Sequence, residues 1–234
     1  MEKPTVFAVD WSGAKKPNRS SGIWLAAVRD GRVVDSRALA TREEATNYIR
    51  DCPPPVIAGF DFSFGMPEWF ALEHHCVTID DVWALAERDG ERWLAPTPMA
   101  PFWRDRCEVP PERRFRRCEI RYPRAKSVFQ LVGNGQVGAG SVRGMPLLTQ
   151  LRAAGMAIWP FDPAGPRLVL EIYPSALRVA VPDAAPFANE HERDAVSSAL
   201  VMWRERETVA ALGAATDPKI RLEGDIWAPT PPQS

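Results

Sequence analysis

The sequence predicts an α/β fold: a mixed central sheet with antiparallel strands 1–3 and parallel strands beyond them, flanked by helices and carrying a large insert. Three observations predict it. Five short apolar runs have the length and punctuation of strands. Asp30-Gly31 joins the second and third runs as a hairpin signal, because both residues tolerate positive φ. Segments with helical start and stop signals separate the later runs.

The elements follow in order. Thr5 to Asp10 is a strand apolar on both faces that ends in a carboxylate and a Trp-Ser-Gly turn. Gly22 to Arg29 and Arg32 to Leu39 complete an antiparallel meander. Thr41 opens a helix, with Glu44 three residues on as in a capping box, and Pro53-Pro54-Pro55 stops it after about Asp51. Val56 to Phe60 is a further buried strand, followed by Asp61. The stretch from about 66 to 165 reads as an insert within a single domain spanning 1–234. It holds helices over Pro67–Cys76 and Ile79–Leu94, an arginine-rich segment, a glycine-rich segment and a short helix over Pro146–Ala154, with no strong strand pattern. The core resumes with a strand over Arg167–Ile172, carrying Glu171 near its end. A break at Pro182–Pro186 precedes a helix over Asn189–Val209, and Pro229, Pro231 and Pro232 mark a frayed tail.

Composition narrows the function classes. The 234 residues are 45% hydrophobic and 25% charged, with a formal net charge of −1, so no global field selects a nucleic acid or a membrane surface. A nucleic-acid partner must be met by a local patch. Cys52, Cys76, Cys107 and Cys118 form no C-x-x-C pair, which fits free thiols in a reducing compartment. His74-His75-Cys76 with Cys107 or Cys118 matches no zinc spacing and reads better as core and surface residues. There is no leader pattern and no apolar stretch of about 18 residues, so the expectation is a cytoplasmic protein with no membrane partner.

Asp10, Asp61 and Glu171 all stand at predicted strand ends, and the last helix opens with Glu190, His191, Glu192 and Asp194. In open α/β sheets, ligand sites gather at the carboxyl ends of strands. A carboxylate after several buried apolar residues is expensive without a partner. Three at equivalent positions suggest a shared cation. Clustered carboxylates select hard divalent cations, and the chemistry that uses them is phosphodiester hydrolysis. The bland alternative makes Asp10 and Asp61 turn formers and Asp194 a surface ion-pair partner.

The insert carries two more candidate features. Between Arg104 and Lys126 the chain is locally basic, and Arg121, Arg124 and Lys126 with Ser127 are candidate phosphate contacts. A solvated loop with internal ion pairs is the competing reading. Gly133 to Ser141 is glycine-rich and leads toward a helix, so Gly138, Gly140 and Ser141 are candidate substrate contacts. No G-K-[ST] follows, so this is not a Walker loop.

Several blocks also carry a family resemblance: Val9-Asp10-Trp11-Ser12-Gly13-Ala14, Gly59-Phe60-Asp61-Phe62-Ser63-Phe64-Gly65, Lys126-Ser127-Val128-Phe129-Gln130-Leu131, Gly138-Ala139-Gly140-Ser141, Glu171-Ile172-Tyr173-Pro174 and Arg193-Asp194-Ala195. From Val9 to Trp227 the chain resembles the DUF429 family of predicted nucleases with a ribonuclease H-like fold. The resemblance implies that Asp10, Asp61 and Asp194 hold Mg²⁺ or Mn²⁺, that Glu171 is a fourth acidic residue, and that Ser12 lies among the substrate contacts. It implies a DNA or RNA substrate, and a resolvase-like role would favour a dimer. The helix departs from the resolvase pattern, which often carries a second aspartate one turn before Asp194, where this chain has Glu190 or His191. Three functions stay open at this point: a metal-dependent nuclease, a nonenzymatic nucleic-acid-binding or scaffold protein, and an actin-like ATPase. The last would need two copies of the core, and this chain has room for one.

Overall fold

A computed structural model describes residues 2–20, 22–122, 124–132, 137–177 and 187–229. Strands β1 (Thr5–Asp10), β2 (Ile23–Arg29) and β3 (Arg32–Leu39) form the antiparallel meander. Asp30 and Gly31 take φ values of 50° and 74°, as a two-residue hairpin turn requires. Helix α1 (Arg42–Arg50) starts at Thr41, whose hydroxyl accepts from the Glu44 N–H. It leads into β4 (Val56–Phe60), which pairs parallel to β1.

Then come α2 (Glu68–Glu73), α3 (Ile79–Trp93), α4 (Val137–Ala153), β5 (Ala157–Ile158) and β6 (Arg167–Glu171). Helices α5 (Pro174–Leu177), α6 (Glu190–Arg204), α7 (Arg206–Ala210) and α8 (Pro218–Glu223) close the chain. The six strands run in the order β3-β2-β1-β4-β6-β5, with β1, β4, β6 and β5 mutually parallel. The sheet is thus the mixed, helix-flanked one expected.

One face of the sheet packs on α6: Val6, Ala8, Ala26, Ile57, Leu168 and Leu170 meet Ala195, Ala199 and Met202. The approach is close because small residues stand beneath the helix. A Cβ at Gly59 would come within 2.7 Å of Met202 Sδ. The other face buries Phe7, Val9, Ala58, Phe60 and Val169 together with insert residues Phe70, Trp83, Phe129, Val142 and Leu148. The insert is therefore the second layer of the core. Among the described residues no helix is long and apolar enough to cross a membrane.

Three expectations need correction. Helix α4 begins at Val137, nine residues before Pro146, because its glycines serve close packing instead of a loop. A Cβ at Gly138 would lie 2.4 Å from the Val128 carbonyl oxygen, and one at Gly144 would lie 2.6 Å from the Phe62 ring. The insert does hold a strand: β5 is only two residues long, too short to leave a pattern. The helix expected to run to Val209 breaks at Glu205, the cap of both α6 and α7. Residues 133–136 of the glycine-rich stretch, the 182–186 break and the tail beyond 229 lie outside the described residues.

The insert is locked to the sheet by a buried charge network. Arg116 is fully buried and donates Nη1 to Glu171 Oε2 at 2.9 Å and Nη2 to Glu171 Oε1 at 2.5 Å. Its Nε donates to Glu119 at 2.9 Å, and Nη1 also reaches the Glu223 carbonyl at 3.0 Å. The Phe64 N–H donates to Glu171 at 2.8 Å. Burial pushes the Glu171 carboxyl pKa up, against the pull of Arg116. Burial also works against the Arg116 cation, but the surrounding negative groups hold its pKa well above the usual value.

Removing one partner of a buried ion pair leaves an uncompensated charge. Arg116→Met should therefore destabilise the protein by about 3–5 kcal/mol, measured as a lower urea midpoint. The double variant Arg116→Met/Glu171→Gln should recover part of that loss.

Candidate functional site

Register decides which acidic residues meet. Val9 pairs with Phe60, and Phe60 pairs with Glu171, so these three form one row across β1, β4 and β6. The next row is Asp10, Asp61 and Ile172, tied by the Asp61 N–H to the Val9 carbonyl at 3.1 Å and the Ile172 N–H to the Phe60 carbonyl at 3.0 Å. Successive side chains alternate faces, so a one-residue offset reverses the face. Asp10 and Asp61 fall on the α6 face. Glu171 falls on the insert face, where Arg116 occupies both of its oxygens. The expected equivalence of the three strand-end acids fails at this point, and Glu171 does not join the other two.

Above Asp10 stands the first turn of α6. His191 Nδ1 lies 2.5 Å from Asp10 Oδ2, with the Asp10 side chain 9% exposed and the His191 side chain 54% exposed. The contact raises the His191 pKa, first through its hydrogen bond to Asp10 and further through the charges of Asp10, Asp194 and Glu190; partial burial opposes this. Gly22, at φ +85°, clears space for the imidazole: a Cβ there would come within 3.0 Å of Nε2. The helix start is itself anchored. Asn189 caps it by accepting from the Glu192 N–H, Glu192 accepts from Ser36 Oγ at 2.9 Å, and Ser36 accepts from Trp24 Nε1 at 2.8 Å. Trp24 is the register partner of Asp10 on β2.

The turn after Asp10 is held from below. Buried Arg42 donates to the Ser12 and Ala14 carbonyls, and Arg143 donates to the Gly13 carbonyl at 2.5 Å. Burial, with the Arg143 charge adding to it, lowers the Arg42 pKa to about 10. Trp11 Nε1 donates to the Gly140 carbonyl at 3.2 Å. Ser12 is buried, and its hydroxyl accepts from the Ala14 N–H.

The remaining candidates have internal roles. Ser141 is fully buried and its hydroxyl accepts from the Ser63 N–H at 2.9 Å. Gly138 and Gly140 pack against Gln130 and Trp11. Ser127 is buried, donating to the Arg114 carbonyl at 2.5 Å and accepting from the Phe129 N–H. Of the basic segment, Arg113, Arg117 and Arg121 pair with Glu73, Asp217 and Asp225, and Arg104 and Arg114 donate to backbone carbonyls. Arg124 and Lys126 are exposed. The internal ion-pair reading of this segment fits these partners.

The donor set at Asp10 and Asp61 is hard oxygen, suited to Mg²⁺ or Mn²⁺. Asp194, half-buried on α6, adds charge near His191, but among the described residues no three His, Cys, Asp or Glu side chains form a metal-holding group. The residue that sequence reasoning left without a role is His191. The usable signal was its spacing three residues before Asp194, which puts both on one helix face.

Two outcomes follow for the Asp10–His191 contact. A His pKa raised on folding contributes stability that is complete below the unfolded value, about pH 6.5, and is lost as pH rises through the folded value. The stability gap between wild type and Asp10→Asn should therefore narrow from mildly acidic to alkaline pH. An NMR titration should find the His191 pKa lower in Asp10→Asn. Gly22→Ala should cost about 1–2 kcal/mol from its positive φ, with a smaller penalty in a His191→Ala background, read from denaturation midpoints. Comparison with protein-family models, curated proteins and solved structures returns no match to this chain.

Proposed function

We propose that this chain is a divalent-metal-dependent phosphodiester hydrolase acting on DNA or RNA, built on a ribonuclease H-like fold. One observation carries the reading: Asp10 and Asp61 end neighbouring parallel strands and share the face covered by the acidic first turn of α6. The strand order β3-β2-β1-β4-β6, in which β2 alone runs against the other strands, supports the fold assignment.

Asp10 and Asp61 are the residues that would hold Mg²⁺ or Mn²⁺. Mg²⁺ is commonly bound by one or two carboxylates, with water and substrate phosphate oxygens completing its shell. Two carboxylates therefore fit an ion that is completed by its substrate, and Asp194, whose charge acts on His191, would add negative charge to the helix turn above them. Such an ion supplies charge neutralisation on the phosphate and an activated water. The chain's own residues do the positioning. Arg42, Arg143 and Trp11 fix the turn beside Asp10, and Trp24, Ser36 and Glu192 fix the helix start that presents His191.

The test is cleavage of labelled DNAs and RNAs, single-stranded, duplex and branched, in Mg²⁺ or Mn²⁺. Asp10→Asn and Asp61→Asn should each lower the rate by about 10²-fold or more while circular dichroism shows both variants folded at the assay temperature. Equal cleavage by wild type and both variants would sink the proposal. Salt-sensitive binding with no turnover would instead favour a nonenzymatic nucleic-acid-binding protein.

A further inference from the structure

The residues that follow Asp10 and Asp61 meet on one turn of α4. Trp11 comes directly after Asp10, and Phe62 and Ser63 come directly after Asp61. β1 ends at Asp10 and β4 at Phe60, so beyond these points strand pairing no longer fixes the chain. Asp61 is still tied upstream, where its N–H donates to the Val9 carbonyl at 3.1 Å. The direction of each carboxylate then depends on what holds the next residues.

Residues 140–144 of α4 hold both segments. On the Asp10 side, the Gly140 carbonyl accepts from Trp11 Nε1 at 3.2 Å, and Arg143 donates to the Gly13 carbonyl at 2.5 Å. On the Asp61 side, the hydroxyl of fully buried Ser141 accepts from the Ser63 N–H at 2.9 Å. Gly144 leaves the Phe62 ring its space, since a Cβ there would lie 2.6 Å from it. Ser141 and Gly144 are three residues apart and therefore neighbours on one helix face. The two segments also touch each other, with the Trp11 and Phe62 ring centroids 4.9 Å apart.

The Asp61 segment is closed off just beyond this contact. The Phe64 N–H donates to Glu171 at 2.8 Å, and the Phe64 carbonyl accepts from Trp83 Nε1 at 2.7 Å. Ser63 and Ser141 are both buried, so a Ser63 N–H that left Ser141 would stay unpaired at a cost. Asp61 is thus strung between the Val9 carbonyl on one side and Ser141 on the other.

We infer that the 140–144 turn of α4 is a positioning element, which braces the segments after Asp10 and Asp61 against one support and so sets the separation and direction of the two carboxylates. This role depends on the proposed reading of those carboxylates as a divalent-metal site. Mg²⁺ demands near-ideal octahedral geometry, so its ligands must be held at the right spacing before it arrives. Groups behind the ligands commonly contribute about 10–100-fold to metal affinity. Ser141 touches neither ion nor substrate on this account. It acts through Ser63 on Asp61, while Gly140 acts through Trp11 on Asp10.

Mn²⁺ binding to the full chain is the test, followed by electron paramagnetic resonance of the free ion at a temperature where circular dichroism shows every variant folded. Wild type should bind Mn²⁺ saturably, and Asp61→Asn should bind it much more weakly. Ser141→Ala, which removes only the acceptor, should weaken binding by about tenfold. Trp11→Phe keeps an aromatic ring but loses the donor to Gly140, and it should weaken binding in the same direction. Leu151→Val truncates a buried side chain two turns further along α4. It should lower the denaturation midpoint yet bind Mn²⁺ as wild type does, whereas a general loosening of the helix would move this variant too. Wild-type affinity in folded Ser141→Ala and Trp11→Phe, or an equal loss in Leu151→Val, would overturn the positioning role and leave the metal site standing. Wild-type affinity in Asp61→Asn, or no saturable binding by wild type, would instead remove the metal site and the positioning role with it.

Discussion

Alternation of side chains along three parallel strands is the constraint on which the rest of this molecule depends. Once Val9, Phe60 and Glu171 share a row, the next row is Asp10, Asp61 and Ile172, and the two rows face opposite layers. The α6 face gains two neighbouring carboxylates at the carboxyl edge of the sheet. The insert face gains a single carboxylate among phenylalanines and a valine. A shift of one residue between β4 and β6 would bring all three acids together and leave Arg116 with Glu119 as its remaining carboxylate.

That lone carboxylate explains how the insert is built. Glu171 buried in an apolar row needs a cation, and the insert supplies one from Pro111–Arg113 and Glu119–Arg121, two short 3₁₀ turns that bracket Arg116. The guanidinium fork also reaches Glu119 and the Glu223 carbonyl, so one side chain joins the insert, β6 and the end of α8. The network carries more negative than positive charge, and burial of such a group is costly. It gives the long arginine-rich segment a defined position, which propensity alone could not do. The neighbouring arginines repeat the pattern at the surface, where exposed pairs such as Arg117 with Asp217 contribute little energy.

The sheet was legible because its signals are local. Asp30-Gly31 sets a hairpin, Thr41 and Glu44 set a helix start, and short apolar runs set strands. Asp10 and Asp61 were legible as a pair for the same reason: each follows an apolar run of similar length. Glu171 was misplaced because pairing register between β4 and β6 is a tertiary property, absent from either strand alone. Gly138 and Gly140 were read as substrate contacts ahead of a helix, yet they lie inside α4 and let it pack against the segment 128–130 and Trp11. Glycine marks close approach as well as flexibility, and only the neighbour distinguishes the two. His191 had no role in the sequence because its partner, Asp10, is 181 residues away.

Asp10 is the point at which these constraints meet. It is nearly buried, it stands beside Asp61, and two carboxylates so placed repel each other unless positive charge intervenes. His191 brings such a charge whenever it is protonated, and its proton affinity rises because Asp10 holds it. Gly22 leaves the ring its space, and Trp24, Ser36 and Glu192 hold the helix turn that carries it. On the proposed reading, a divalent cation would neutralise Asp10 and Asp61, so it would compete with His191 for Asp10. The firm anchoring of α6 then has a chemical consequence: it keeps a protonatable imidazole in hydrogen-bond contact with Asp10, so the buried carboxylate has a polar partner whether or not an ion is bound.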